Sequence, residues 1–264
     1  KMPVYVHSKT TGDEAKWMTS EIQRLVESGE KYSDMAVLYR SHFVSRSIEE
    51  SFIRTKIPYT LYSGIEFYKR KEIKDVLAYM RMLVYSDDLS FRRVINEPKR
   101  NFGKKRMSLL KAYAESHRCS LYNGLQDLDD SSIKSTGAAE FVEVIERYKK
   151  IYREKSLSDL MTELLDATGY EAMLRQAGEQ ERLDNLAELK QSVDEFEKTS
   201  GEENTLEEYL QSIALYTNSD KEQDKDSVKM MTIHTAKGLE FPYVFVCGLN
   251  EGIFPSKHVD TEDM

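Results

Sequence analysis

Apolar positions along the chain follow two rhythms. Near the start, short compact apolar runs alternate with stretches of helical period. Residues 3–7 read as a short strand, and the period over 13–28 predicts a helix that buries Trp17, Ile22, Leu25 and Val26. Met35-Ala36-Val37-Leu38-Tyr39 reads as a buried strand. The helix after it carries Ile48, Phe52 and Ile53 on one face before Ile57-Pro58 stops it. This alternation predicts a parallel sheet with crossover helices.

From about residue 72 to 216 every long segment has helical period instead. Ile73, Val76, Leu77, Met80, Leu83 and Val84 form one apolar stripe, and Phe141, Val144, Ile145, Tyr148 and Ile151 another. Further helices are expected over 157–167, around Leu183, Leu186, Leu189, Val193 and Phe196, and over 205–216. The last has Thr205 as its cap with Glu208 three residues on. The polar stretch 217–227 reads as a linker, and 127–132 and 218–226 as loops. Strand character then returns at 228–233 and 243–247. Two such strands cannot form a domain alone, so the pattern predicts one sheet-based domain interrupted by a helical insertion.

Composition narrows the function. The chain has 264 residues, 38 basic and 46 acidic, with a net charge of −8. No run approaches the roughly 20 apolar residues of a bilayer crossing, and no apolar leader opens the chain, so a cytoplasmic protein without a membrane partner is expected. Cys119 and Cys247 have no Cys or His at metal-ligand spacing, so neither a disulfide framework nor a metal site is expected. The net charge argues against coating nucleic acid by bulk attraction, but the charges are segregated. Between Arg92 and Arg106, seven basic residues stand against Glu97 alone, while eleven acids face three bases between Glu179 and Glu208. The acidic stretch over 188–197 reads as a solvated face, and the tyrosines at 79, 148 and 152 as core or half-buried surface.

The chemistry concentrates in Met231-Thr232-Ile233-His234-Thr235-Ala236-Lys237-Gly238-Leu239-Glu240-Phe241, between the two returning strands. A polar, glycine-containing turn there lies at the carboxyl edge of a parallel sheet, where open α/β sheets bind ligands. It offers donors for phosphates and a carboxylate for a sugar hydroxyl. A polar turn with a solvated histidine has the same composition.

Residues 234–241, with Val244-Phe-Val and Gly248-Leu-Asn-Glu-Gly-Ile-Phe-Pro255 after them, resemble motif V of the superfamily 1 DNA helicases of the UvrD, PcrA and Rep type. Ala36-Val-Leu-Tyr-Arg-Ser41, with Ser45-Arg46 and Glu49-Glu50, resembles the strand and helix called motif IVa. Ile57-Pro-Tyr59, Gly64, Phe67-Tyr68 and 71–81 resemble the approach to the inserted 2B subdomain. Asn96-Glu-Pro-Lys-Arg100-Asn-Phe-Gly103 resembles the 2B loop that grips duplex DNA.

The resemblance implies an α/β fold: a RecA-like parallel-sheet motor domain (2A, incomplete) over 1–64 and 223–264, interrupted by a mostly α-helical inserted domain (2B) over 65–222. It implies ATP binding at Gly238 and Glu240, with Glu240 on the nucleotide ribose. It places Arg40, His42, Thr232, His234 and Thr235 on single-stranded DNA, His42 standing where many relatives carry Asn. It assigns Lys99, Arg100, Phe102, Gly103 and Lys104 to duplex DNA. Relatives commonly have Gly-Ile-Gly where this chain has Asn101-Phe102-Gly103, which predicts a more restricted loop.

The expected whole is an ATP-dependent DNA helicase that uses ATP and Mg2+, translocates 3′ to 5′ on single-stranded DNA and acts at single/double-strand junctions in repair or replication. No Gly-x-x-x-x-Gly-Lys-Ser/Thr occurs in the chain. The N-terminal motor domain of the same parent chain is therefore an implied partner, repair or replication proteins are possible partners, and the piece alone is expected to be inactive, with no catalytic residue of its own. A non-catalytic DNA-binding scaffold and the helicase part of a helicase-nuclease stay open as alternatives.

Overall fold

The computed structural model describes residues 3–62, 64–199, 205–217, 226–250 and 254. The chain forms two compact units, 1–69 with 216–264, and 70–215.

The first unit is built on a four-stranded, wholly parallel sheet in the order β2-β3-β1-β4. Its strands are β1 (Met35–Tyr39), β2 (Tyr59–Leu61), β3 (Val228–Thr232) and β4 (Tyr243–Val246). The two strands after residue 226 thus pair with β1 from the start of the chain: Val37 lies opposite Met230 and Phe245, and Tyr39 opposite Thr232. A strand flanked on both sides by parallel neighbours reads as a continuous apolar run, which is why Met35, Ala36, Val37 and Tyr39 are all buried.

Helices α1 (Thr11–Glu27) and α2 (Arg46–Thr55) supply the core opposite the sheet with Ala15, Met18, Ile22, Ile48 and Phe52, which pack with Val37, Tyr39, Tyr59 and Met230. Each fully buried aliphatic side chain contributes roughly 1.5–3 kcal/mol. Thr10 caps α1 by accepting from the Asp13 N–H at 3.0 Å, and Lys56 ends α2 in the left-handed region at φ 58°. On α2, Glu49 accepts from the Phe67 N–H at 3.1 Å, and Glu50 pairs with the fully buried Arg46. The Tyr68 hydroxyl donates to Glu50, and its ring stacks on Tyr216 with centroids 5.4 Å apart.

Two expectations fail in this unit. Residues 3–8 take no regular structure, and Val4 and Tyr5 are exposed. The apolar alternation is there, but a strand needs a neighbour for its N–H and C=O groups, and none of the four described strands pairs with it. Trp17 is not buried with Ile22 and Leu25. It is 38% exposed, and its ring meets the edge of Phe245 on β4 at 6.3 Å.

The second unit is helical. Its spine is α3 (Lys71–Val84), with Ile73, Val76, Tyr79, Met80 and Met82 fully buried. Around it are α4 (Asp88–Val94), α5 (Lys104–His117), α6 (Leu121–Asp127), α7 (Ser131–Lys134), α8 (Ala138–Ile151), α9 (Leu157–Ala167), α10 (Tyr170–Gln176), α11 (Gln180–Thr199) and α12 (Leu206–Thr217). Side-chain caps define several starts: Asp87, Ser120, Asp130 and Ser156 each accept from a backbone N–H two or three residues on. Thr205 and Glu208 form the reciprocal capping box that their spacing predicts, at 3.2 and 3.3 Å.

The tract 127–132 is more ordered than a loop, because Asp130 starts α7 inside it. Most of the linker expected over 217–227, and of the loop over 218–226, lies outside the described residues. The acidic stretch of α11 is not simply a solvated face: Glu188 is buried, and Glu197 accepts from the Leu157 N–H at 2.6 Å, capping α9. Tyr79 and Tyr148 are core residues, and the Tyr152 hydroxyl bonds Glu207. Among the described residues no helix is long and apolar enough to cross a membrane.

Candidate nucleic-acid interface

Because all four strands are parallel, the segments that follow them emerge on one edge of the sheet. β1 runs into Arg40 and β3 into the turn at 233–241. The Ile233 N–H donates to Tyr39 O at 2.9 Å, extending the ladder one residue past β3 and bringing His234 beside Arg40. Arg40 Nη1 lies 3.4 Å from His234 Nδ1. Arginine can only donate, so Nδ1 is the acceptor in that contact, and the His234 side chain is otherwise exposed.

The turn is held from within. Thr232 Oγ1 accepts from the Thr235 N–H at 3.2 Å and lies 2.9 Å from Thr235 Oγ1. Backbone bonds from Ala236 to Thr232, Lys237 to His234 and Leu239 to Ala236 continue the coil, and Gly238 reverses it at φ 86° with open space around it. Glu240 is exposed and makes no hydrogen bond or ion pair among the described residues. The end of β3 and the turn after it therefore present two hydroxyls, an imidazole and a free carboxylate.

His42 is the inward member of this edge. Its ring lies edge-on to Tyr39 at 5.7 Å and presses on Gly64, where an added Cβ would sit 2.9 Å from Cε1. The structure thus brings Arg40, His42, Thr232, His234, Thr235, Gly238 and Glu240 to one sheet edge.

The residues expected to grip duplex DNA, in the helical unit, divide. Lys99, Gly103 and Lys104 are exposed. Arg100 is not free for phosphate. Its Nη1 donates to the carbonyl of Val94 at 3.0 Å and its Nη2 to Thr168 O at 3.1 Å and the Tyr79 hydroxyl at 3.0 Å, and the guanidinium lies over the Phe141 ring at 5.2 Å. Burial pushes the Tyr79 hydroxyl up to about 12, with Arg100 pulling the other way, so it keeps its proton for the carbonyl of Glu97. Phe102 is 3% exposed and packs inward. Both hold the loop from inside.

Asn101 stands where relatives commonly carry a glycine. It sits at φ 57°, the left-handed conformation that asparagine tolerates better than other non-glycine residues. Two further residues complete the loop: Asn96, which sequence reasoning does not single out, and Arg106, which it places in the basic cluster flanking Gly103. The Asn96 carboxamide accepts from the N–H groups of Arg100 and Phe102 at 2.9 and 3.0 Å, and Arg106 donates to Asn101 O and Ser132 O, each at 2.7 Å. An asparagine heading a proline-containing turn is the available signal for the first; nothing local marks the bond of the second to Ser132, 26 residues away.

At the end of this loop α5 starts with no side-chain cap and no acid in its first turn, only Lys104, Lys105 and Arg106. Cations at the positive end of a helix cost about 0.3–1 kcal/mol each, which a bound anion would offset.

The UvrD-like helicase C-terminal domain family matches residues 1–264. The ATP-dependent DNA helicase PcrA of Staphylococcus epidermidis is 36% identical over 268 residues, covering 98% of this chain and 37% of that protein. The protein of the same name from Staphylococcus aureus is 35% identical over the same shares. The chain thus spans a little over a third of the length of these relatives.

Proposed function

Because this chain belongs to the UvrD-like helicase C-terminal domain family, we propose that it is the DNA-coupling part of an ATP-dependent DNA helicase, with the sheet-based unit as domain 2A and the helical unit as the inserted domain 2B. The family match along all 264 residues carries this reading. In it the parent translocates 3′ to 5′ on single-stranded DNA and opens duplex during repair or replication. Arg40 and Lys99 with Lys104 hold phosphates, the first on the single strand and the other two on the duplex. His42, Thr232, His234 and Thr235 line the single strand.

Gly238 and Glu240 face the nucleotide. The residues fit that role: the positive φ of Gly238 keeps the turn open, and Glu240 has its acceptor oxygens uncommitted for ribose hydroxyls. ATP, when bound, supplies the free energy of phosphoryl transfer. No residue of this chain is assigned to Mg2+ in this reading. Phosphate and metal contacts belong to the N-terminal motor domain of the parent in this reading. What this chain contributes is mechanical. Thr232 and Glu240 lie on one internally bonded turn, so a shift that follows the ribose also moves the hydroxyls on the strand, and the two affinities are linked.

The test is ATP hydrolysis by the full-length parent, with and without single-stranded DNA. Hydrolysis stimulated by the strand is expected. Glu240→Ala removes one hydrogen bond to a charged acceptor and is expected to raise KM for ATP about tenfold, with thermal unfolding unchanged because the side chain is exposed. An unaltered KM would remove Glu240 from the nucleotide, and no hydrolysis by the parent would favour a DNA-binding scaffold.

A further inference from the structure

The segment after β2 carries two exposed apolar side chains that neither the phosphate contacts nor the nucleotide turn uses: Tyr62, 41% exposed, and Ile65, 62% exposed. Tyr39 on β1 and Tyr59 on β2, by contrast, are buried. The difference follows from register. Leu61 lies opposite Met230, which lies opposite Val37, all on the face covered by α1 and α2. The Tyr62 N–H donates to Met230 O at 2.9 Å and keeps the ladder going. Alternation along a strand then turns the Tyr62 side chain to the opposite face. There, among the described residues, its ring and hydroxyl have no aromatic, hydrogen-bond or ion-pair partner.

This segment is also fastened to the strand edge. Gly64 rests on the His42 ring so closely that a Cβ would come within 2.9 Å of Cε1. His42 in turn follows Arg40 by two residues, and β2 is separated from β1 only by β3, two inter-strand spacings or about 10 Å. Arg40 follows the buried Tyr39 as Tyr62 follows Leu61, so the same alternation turns both away from the α1 and α2 face. The cation suits a sugar-phosphate backbone, and the exposed ring suits a base, because every base has a π-face to stack.

We propose that Tyr62 is a base-contacting surface for the single strand whose phosphate Arg40 holds. The proposal rests on the reading of this edge as the single-strand site. Its contacts are to stacked faces, so it accepts any base and adds affinity without sequence preference.

The full-length parent is titrated, by fluorescence anisotropy, against labelled oligo-dT and an abasic deoxyribose-phosphate strand of equal length. Tyr62→Ala is expected to weaken binding of oligo-dT about five- to tenfold, with the abasic strand bound as by wild type and the salt dependence unchanged. Tyr62→Phe is expected to bind both strands as wild type does. Wild-type affinity of Tyr62→Ala for oligo-dT, or an equal loss on both strands, overturns the proposal. Arg40→Ala separates the two levels of the argument: it is expected to weaken both strands, and if it weakens neither, the single-strand reading of the edge falls and the proposal with it.

Discussion

Replacing Arg100 with alanine is expected to destabilise the helical unit by about 3 kcal/mol rather than merely weaken DNA binding. The side chain is the common donor for carbonyls of the 94–98 turn and of Thr168, at the end of α9, and for the Tyr79 hydroxyl on α3. Its removal takes a charged donor from each of these half-buried groups, leaving Val94 O with the Glu97 N–H and the Tyr79 hydroxyl with the Glu97 carbonyl, and uncovers the Phe141 ring. Hydrogen exchange in the whole chain separates the units: amides of α3 and α8 should exchange about two orders of magnitude faster where opening of the unit governs exchange, while β1 is unchanged. Lys99→Glu at the neighbouring, exposed position is the contrast. It should change stability by less than about 0.5 kcal/mol, lower the parent's affinity for a forked junction, and make the salt slope shallower by about 0.9, the share of one neutralised phosphate. An Arg100→Ala chain that exchanges like wild type and binds the junction more weakly instead would return the guanidinium to the DNA surface.

This pair shows how far local sequence reaches. Lys99, Arg100 and Lys104 are equivalent there, cations in one basic run flanking a glycine. What separates them is the company each side chain keeps: Thr168 and Phe141, partners of Arg100, are 68 and 41 residues away. Phe102 misleads for the complementary reason. In a loop otherwise polar it looks like an exposed contact, and only the closing of the loop on Asn96 turns it inward. The turn at 232–241 is more legible because its geometry is local. Thr232 bonds Thr235, and Gly238 supplies the reversal, within a few residues of each other.

The fold follows the same division. Helix starts governed by a nearby cap, such as Thr205 with Glu208, and strands that are apolar along their length, such as 35–39, are written locally. Residues 3–7 have the alternation of a strand, but pairing belongs to a partner's edge as much as to the segment. Trp17 has helical spacing with Ile22 and Leu25, yet it stays 38% exposed, against the edge of Phe245. Glu188 and Glu197 look like part of a solvated acidic face until α9 is placed against α11.

Asp75→Ala carries this reasoning to the charged run Lys71-Glu-Ile-Lys-Asp75 that opens α3. The Asp75 carboxylate is 1% exposed. It pairs with Arg93 Nε at 2.7 Å, accepts from the Tyr170 hydroxyl at 2.8 Å and has Lys71 Nζ at 3.5 Å, so one side chain of α3 ties down α4 and α10. Burial, followed by the adjacent Asp75 charge, raises the Tyr170 hydroxyl well above its ordinary range, so it donates at any physiological pH. Alanine leaves that donor without its acceptor and the Arg93 cation without its counter-charge, an expected loss of about 3–5 kcal/mol in urea unfolding of the helical unit. Asp75→Asn keeps an acceptor for Tyr170 and removes the charge, so it should cost less. If the carboxylate acts through Arg93, the double variant Asp75→Leu with Arg93→Leu should lose well under the sum of the two single losses, because it buries neither charge unpaired. Additive losses, or a cost below about 1 kcal/mol for Asp75→Ala, would mean that packing of α3 alone holds these helices and that the buried charges contribute nothing to the unit.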